Sequence, residues 1–292
     1  MYKAISNNKR NTVLIMALFV GIIGAIGWIV SYFYGDSSIA IWILIVAMLY
    51  AGLQYFIADK LTVAMTGAKE IAKSDNPRFY HIVENLAITT GLPTPKVYII
   101  DDSAPNAFAT GRDPKHSIVA ATTGLIDLMN DSELEAVMAH EMGHVKNYDI
   151  RISMITFGLV SAISFLSDIV LRTMMRGRGR DSDNMSPVVL IIGVIALILA
   201  PIVAVIVQMA ISRQREFLAD ASSAMTTRNP EALAQALEKL RTYGRPMQRQ
   251  NTASAHIFFT NPLKTGLFSK LFSTHPPLEE RINRLNQIGD KF

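Results

Sequence analysis

The five residues His140-Glu141-Met142-Gly143-His144, near the middle of the chain, follow the pattern H-E-x-x-H. Side chains four residues apart project from one face of an α-helix, so His140 and His144 can bind one metal ion together. Zinc held in this way lowers the pKa of the water that it binds to about 7, and the glutamate of the pattern acts as general base. The spacing therefore predicts a hydrolytic zinc site with Glu141 as the proton acceptor.

A helix must present this pattern, and the residues around it predict one. Ser132 and Glu135 have the spacing of a capping box, so we expect the helix to run from Ser132 to about Asn147. Two short apolar runs upstream, Val97–Ile100 and Ser117–Ala121, predict strands of a small sheet. The apolar positions at helical spacing are Leu134, Val137, Met138 and Val145.

Zinc needs a further protein ligand, and its position distinguishes classes of zinc peptidase. One class has a third histidine six residues after the second, but Ile150 stands there and Asn147 replaces the glycine which that class requires. Farther on, Glu216 and Asp220 lie one helical turn apart. We therefore predict that Glu216 is the third ligand and that Asp220 accepts the outer N–H of a zinc-binding histidine.

Four motifs, in this order along the chain, resemble those of the membrane-bound peptidases of family M48, and within it the HtpX-type zinc proteases of bacteria and archaea. The motifs are Asn106–Gly111, His140–His144, Ser212–Asp220 and Thr274–Arg281.

The resemblance implies roles that spacing alone does not show. His275 is expected to donate a hydrogen bond to the oxyanion of the tetrahedral intermediate. Arg281 is expected to pair with the region of Asp220. An edge strand is expected to bind the substrate backbone by β-augmentation. The residues implied for this substrate binding are Asn106, Ala107 and Phe108. The resemblance further implies a gluzincin-like domain that binds one zinc ion per subunit.

Half of the 292 residues are hydrophobic, and the excess is concentrated in long blocks. Residues 13–34 and 39–58 are each long enough to cross the roughly 30 Å hydrocarbon core of a lipid bilayer, and the connection between them is short. Residues 152–171 and 188–211 are two further apolar blocks. The sequence thus predicts an integral membrane protein with two helical hairpins.

The basic residues indicate an orientation in the membrane. Lys3, Lys9 and Arg10 precede the first span, and Lys60 and Lys69 follow the second. The positive-inside rule therefore places the catalytic helix in the cytoplasm. The resemblance implies that the membrane is the cytoplasmic membrane of a bacterium or an archaeon. The four arginines within 172–186 would then lie outside, against the rule, but the length and apolarity of 188–211 favour two full spans.

These observations predict an α+β fold in a mainly α-helical integral membrane protein with a cytoplasmic, gluzincin-like zinc metalloprotease domain. We expect four segments: a transmembrane hairpin at 1–58, the first part of the catalytic domain at 59–149, a second hairpin at 150–211, and the remainder of the catalytic domain at 212–292.

The expected activity is that of a zinc metalloendopeptidase acting on polypeptides, in particular misfolded or damaged membrane proteins in quality control. The net charge of +4 is mild, and we expect no nucleic-acid partner. Three alternatives are an intramembrane protease of the site-2 type, a non-catalytic zinc-containing membrane chaperone or scaffold, and a transporter. Polar residues around the motif disfavour the first, and Glu141 together with the absence of cysteine disfavours the second.

Overall fold

The structure is a computed structural model. It describes residues 2–156, 158–159, 213–249, 257–262 and 276–289. The chain forms two compact units. The first consists of Met1–Lys9, Ile57–Met154 and Ile211–Phe292, and the second of Arg10–Phe56 and Ile155–Ala210. The predicted spans at 152–171 and 188–211 lie, apart from the first few residues of the former, outside the described residues.

Two long helices open the chain, α1 (Tyr2–Tyr34) and α2 (Ser37–Thr66), with only Gly35 and Asp36 between them. The stretches Ile5–Trp28 and Ser37–Thr66 are long and apolar enough to cross a membrane. Within the most apolar 18 residues of each stretch, only 22% and 17% are buried, whereas a core helix of a globular protein is mostly buried. The two N-terminal spans predicted from the sequence are therefore present as candidate membrane helices.

A four-stranded mixed sheet lies in the first unit, in the order β1-β2-β4-β3. The strands are β1 (Lys69–Glu70), β2 (Lys96–Ile100), β3 (Ala107–Gly111) and β4 (Ser117–Thr122). Strands β2 and β4 are parallel, with Lys96 opposite Ile118, whereas β3 runs antiparallel to β4, with Ala107 opposite Ala121. Both predicted strands are confirmed as β2 and β4, and β3 forms one edge of the sheet.

The helices around this sheet carry the predicted site. They are α3 (Pro77–Thr90), α4 (Thr123–Leu128), α5 (Asp131–Lys146), α6 (Arg213–Thr227), α7 (Pro230–Tyr243) and α8 (Leu278–Gly289). Helix α5 holds the H-E-x-x-H pattern and contacts α3, α6, α7 and the sheet. Its four predicted apolar positions are all completely buried. The helix is therefore enclosed by other elements over most of its surface, which fixes the direction of its histidines.

The predicted capping box of α5 is wrong by two residues. The helix is capped by Asn130, whose side chain accepts a hydrogen bond from the Glu133 amide at 2.9 Å. The Glu133 carboxylate accepts one from the Asn130 amide at 2.8 Å and another from Lys239 on α7 at 2.6 Å. Asparagine caps a helix as well as serine does, and the buried Glu133 gains a cation, so this box forms in preference to that of Ser132 and Glu135.

Candidate metal centre

The close approach of α5 and α6 brings the three predicted ligands together. A Cβ atom added to Gly143 would lie 3.5 Å from Ala219 Cα, an ordinary contact distance, so α6 packs closely on α5 at this position. The Ser223 hydroxyl on α6 donates to the Ala136 carbonyl on α5 at 2.6 Å, which fixes the register of the two helices. In this register Glu216 faces the histidines of α5.

The ligand atoms of His140, His144 and Glu216 all lie within 4.8 Å of one another. The two Nε2 atoms are 3.1 Å apart, and the Glu216 oxygens lie 3.8 Å from His140 Nε2 and 3.5 Å from His144 Nε2. Tetrahedral zinc with bonds of about 2.0–2.1 Å would separate its ligand atoms by about 3.3 Å. Two imidazoles and one carboxylate therefore fit a catalytic zinc site, which keeps a coordination position for water or substrate.

Three residues from distant parts of the chain surround His140. Its Nδ1 atom lies 2.9 Å from Asp220 Oδ1. Arg281, on α8, donates to both oxygens of Asp220, at 2.6 Å and 2.9 Å, and is completely buried. The ring of Phe259 lies 4.9 Å from the His140 ring and 4.8 Å from the Arg281 guanidinium. The structure thus places Asp220 and Arg281 together, next to the predicted metal ligand His140.

A different carboxylate, which the sequence analysis missed, supports His144. Asp149 Oδ2 lies 3.0 Å from His144 Nδ1, only five residues along the chain. The Asn8 side-chain amide donates to Asp149 Oδ1 at 2.6 Å and to the Asn147 carbonyl at 2.8 Å. Arg215 Nη1 lies 3.9 Å from Asp149 Oδ1. The signal in the sequence is an acidic residue five positions after the second histidine, within the polar flank of the motif.

The backbone of Tyr148 turns Asp149 back toward its histidine. Its φ of 62° lies in the left-handed region, which a bulky side chain rarely adopts. Helix α5 has ended just before, at Lys146. The Tyr148 ring lies 4.6 Å from Lys9 Nζ and 4.9 Å from the Arg151 guanidinium. The cation–π contacts of the ring with Lys9 and Arg151 thus help to stabilise the left-handed conformation of Tyr148.

The two histidines have opposite pKa shifts. Burial lowers the pKa of His140 to about 4, and the hydrogen bond to Asp220 does not offset this effect. Burial would also lower the pKa of His144, but the hydrogen bond to Asp149 and the charges of Glu216, Asp149 and Glu141 raise it to about 9. Asp220 stays ionised because, against the effect of burial, Arg281 and His140 lower its pKa to about 2.

The distances show how the two rings face one another. His140 has its Nδ1 atom next to Asp220 and its Nε2 atom toward His144. His144 has its Nδ1 atom next to Asp149 and its Nε2 atom toward His140. Because the pKa of His144 is raised, a metal ion that binds its Nε2 atom competes with a proton there.

The two predicted catalytic residues differ in what the structure shows of them. Glu141 is 2% exposed, and its charge helps to raise the pKa of both His144 and Arg281, which places it near the ligand group. His275 lies outside the described residues. The chain is described again from Pro276, and the Pro277 carbonyl accepts from the Arg281 amide at 3.2 Å at the start of α8.

The predicted substrate-binding residues contact another segment of the same chain. The Asn106 side-chain nitrogen donates to the Thr260 carbonyl at 2.9 Å, and the Asn106 side-chain oxygen accepts from the Thr260 backbone N–H at 3.1 Å. The Ala107 carbonyl accepts from the Phe259 amide at 2.8 Å. The Phe108 and Phe258 rings meet edge to face at 5.4 Å. The first part of the β3 edge is thus covered by residues 257–262.

The chain is similar to known proteins over most of its length. Residues 73–288 match the sequence model of peptidase family M48. The chain is 55% identical over 292 residues to a "Protease HtpX homolog" of Tropheryma whipplei (strain Twist), with both chains fully covered. It is 44% identical over 295 residues to the protein of the same name from Ligilactobacillus salivarius (strain UCC118), with 99% and 100% covered. Among solved structures, S. mikatae Ste24p resembles the fold with a TM-score of 0.52 and 19% identity, over 98% of this chain and 67% of that one.

Proposed function

The chain belongs to peptidase family M48, as an HtpX-type membrane protease, and on this basis we propose that it is a zinc metalloendopeptidase. One observation carries the proposal: the ligand atoms of His140, His144 and Glu216 converge to within 4.8 Å, next to the buried carboxylate of Glu141. This set supplies three protein ligands, as catalytic zinc sites do, whereas structural zinc sites usually supply four.

Zinc bound by these ligands would supply Lewis-acid activation of the attacking water and of the scissile carbonyl. Glu141 accepts the proton of the water and later donates it to the leaving amine. His275 donates a hydrogen bond to the developing oxyanion, and removal of such a donor typically costs about 10²–10³ in rate. Asp220 and Asp149 hold the rings of His140 and His144 through their Nδ1 atoms.

The substrate is proposed to bind in an extended conformation along the edge of β3. The sequence pointed to Asn106, Ala107 and Phe108, and residues 257–262 already pair with that end of the strand. Successive residues of a strand direct their backbone groups to opposite edges, so Ala109 directs its groups to the same edge as Ala107. Main-chain pairing of this kind favours broad sequence specificity.

The proposed substrates are membrane proteins, above all misfolded or damaged ones, in protein quality control. The two candidate membrane helices would anchor the protease in the bilayer, where such substrates are concentrated. The basic residues that flank these helices support a catalytic unit facing the cytoplasm. Cleavage restricted to soluble folded proteins by the purified enzyme would contradict this substrate class.

The test of the proposed activity is Glu141→Gln in the full-length protein, purified in detergent with zinc and assayed on an unfolded model protein. We expect wild type to cleave it and the variant to bind one zinc per chain with about 10²–10⁴-fold lower turnover, because general base catalysis is lost. Glu135→Gln on the same helix is the matched control and is expected to retain activity. Equal inertness of wild type and Glu141→Gln with zinc bound would favour the non-catalytic scaffold.

A further inference from the structure

A residue that precedes the first apolar block belongs to the surroundings of the metal site. Asn8 lies near the start of α1, yet its side chain is buried, with 5% exposed. The segment Met1–Lys9 belongs to the same compact unit as the site. Its neighbour Asn7 is only half-buried. A buried asparagine in a helix that otherwise becomes apolar is costly unless its amide is fully used.

Two hydrogen bonds join the side-chain nitrogen of Asn8 to acceptors at the end of the metal-binding helix. Its nitrogen donates to Asp149 Oδ1 at 2.6 Å and to the Asn147 carbonyl at 2.8 Å. Since a carboxylate and a carbonyl can only accept, the NH₂ group of Asn8 must face them. Asp149 thereby has one oxygen held by Asn8 and the other oxygen held by His144.

The chemistry of this contact requires a neutral donor with two protons. An aspartate at position 8 would place a negative charge against Asp149, and an alanine would leave Asp149 Oδ1 with the more distant Arg215, 3.9 Å away. In either case the Asp149 carboxylate is free to rotate, and the His144 ring loses the partner that orients Nε2 toward the metal. Such supporting partners typically contribute 10–100-fold to metal affinity.

We propose that Asn8 is a positioning residue of the metal site, acting on His144 through Asp149. The proposal rests on the proposed function, since it assigns a role in holding the zinc of that site. It makes the first turns of α1, ahead of the apolar block at 13–34, a working part of the catalytic unit.

The experiment measures zinc affinity of the full-length protein in detergent by competition with a chromophoric chelator. We expect Asn8→Ala to raise the Kd for zinc about tenfold and Asn8→Asp to raise it more. Asn7→Ala, the same substitution one residue earlier, is the matched control and is expected to change the Kd less than twofold. The midpoint of thermal unfolding without zinc is recorded for each variant, so that a general loss of structure is separated from loss of affinity.

A double-mutant cycle shows whether Asn8 acts through Asp149. We expect Asn8→Ala to have no further effect on the Kd in an Asp149→Asn background, because the oxygen that it positions is gone. If Asn8→Ala yields no folded protein, Asn8→Ser replaces it in the same cycle. A Kd unchanged by substitution of Asn8, or an effect that adds fully to that of Asp149→Asn, would overturn the proposal. Failure of wild type itself to bind zinc would instead count against the proposed function.

Discussion

His140 and His144 are identical residues one helical turn apart, yet they are supported by different parts of the chain. His140 is held by Asp220, and Arg281 and Phe259 pack around this pair, all of them far downstream. His144 is held by Asp149, only five residues away, and by Asn8 behind it. Each ring thus has its own carboxylate, and each carboxylate has its own donor.

The two donors, Arg281 and Asn8, differ in charge, and the pKa values of the two histidines differ as well. Asp220 is neutralised by the buried guanidinium of Arg281, whose charge also disfavours a proton on His140. Asp149 receives a neutral amide, and its charge favours a proton on His144. The pKa values of the two histidines are therefore shifted in opposite directions although each ring has a carboxylate at Nδ1. Burial and the charge of Arg281 lower the pKa of His140, whereas the charges of Glu216 and Glu141 add to that of Asp149 at His144.

The largest expected effect comes from removing the cation on the His140 side. Arg281→Met leaves Asp220 as an uncompensated buried charge, at a typical cost of about 3–5 kcal/mol in the free energy of unfolding. We expect a strongly lowered unfolding midpoint and loss of zinc binding, measured on the full-length protein. Arg284→Met, three residues later on an exposed face of α8, is the control and should behave nearly as wild type. An equal loss of stability and zinc binding in both variants would contradict a specific role for the pairing of Arg281 with Asp220.

A smaller effect distinguishes the protons of the two histidines. Because the pKa of His144 is raised to about 9, zinc binding at pH 7.5 should release about one proton. The apparent zinc affinity should consequently rise up to about tenfold per pH unit between pH 7 and 9 and level off above the pKa. Calorimetric titration in buffers of different ionisation enthalpy counts the proton directly.

Substitution of each carboxylate sharpens this measurement. In Asp149→Asn the pKa of His144 should fall, and the number of protons released at pH 7.5 should drop toward zero. In Asp220→Asn the proton on His144 should persist, because Asp220 does not contact that ring. Release of no proton by wild type would contradict a raised pKa of His144.

The smallest expected effect tests the aromatic contact that only His140 has. Phe259→Leu removes the edge contact with His140 and the cation–π contact with Arg281, which together are worth about 0.5–2 kcal/mol. We expect a loss of zinc affinity of a few-fold and a modest loss of stability, measured by chelator competition and urea unfolding. Phe258→Leu, whose ring meets Phe108 instead of a ligand, should lower stability alone. A loss of zinc affinity in both variants would argue against a specific role for Phe259.

The two sides of the site also differ in how far they could be predicted. Glu216 and Asp220 lie on one helix, and residues four apart share a helix face. Their common direction could therefore be predicted, since a zinc site of the H-E-x-x-H type needs a third ligand. The direction of the Asp149 side chain depends on the left-handed backbone of Tyr148, just after helix α5 ends. No periodic pattern in the sequence indicates that direction. Asn8 meets Asp149 across 141 residues of sequence, a contact that only the tertiary structure specifies.

The fold shows the same division between local and distant causes. Strands β2 and β4 were predicted because apolar runs of that length are a local signal. The start of α5 was misplaced because two overlapping patterns, one beginning at Asn130 and one at Ser132, are equally good caps. The choice between them depends on Lys239, more than a hundred residues away. The pairing of β3 with residues 257–262 was likewise not predicted, since it joins two segments with no shared pattern.

The left-handed backbone of Tyr148 has a consequence for engineering this enzyme for heat resistance. Glycine and asparagine tolerate positive φ better than tyrosine, so a search for stabilising substitutions by backbone preference would select this position early. Either replacement would relieve local strain but remove the ring that contacts Lys9 and Arg151. The turn carrying Asp149 would then sample other conformations, and a variant that melts at a higher temperature would retain its metal less well.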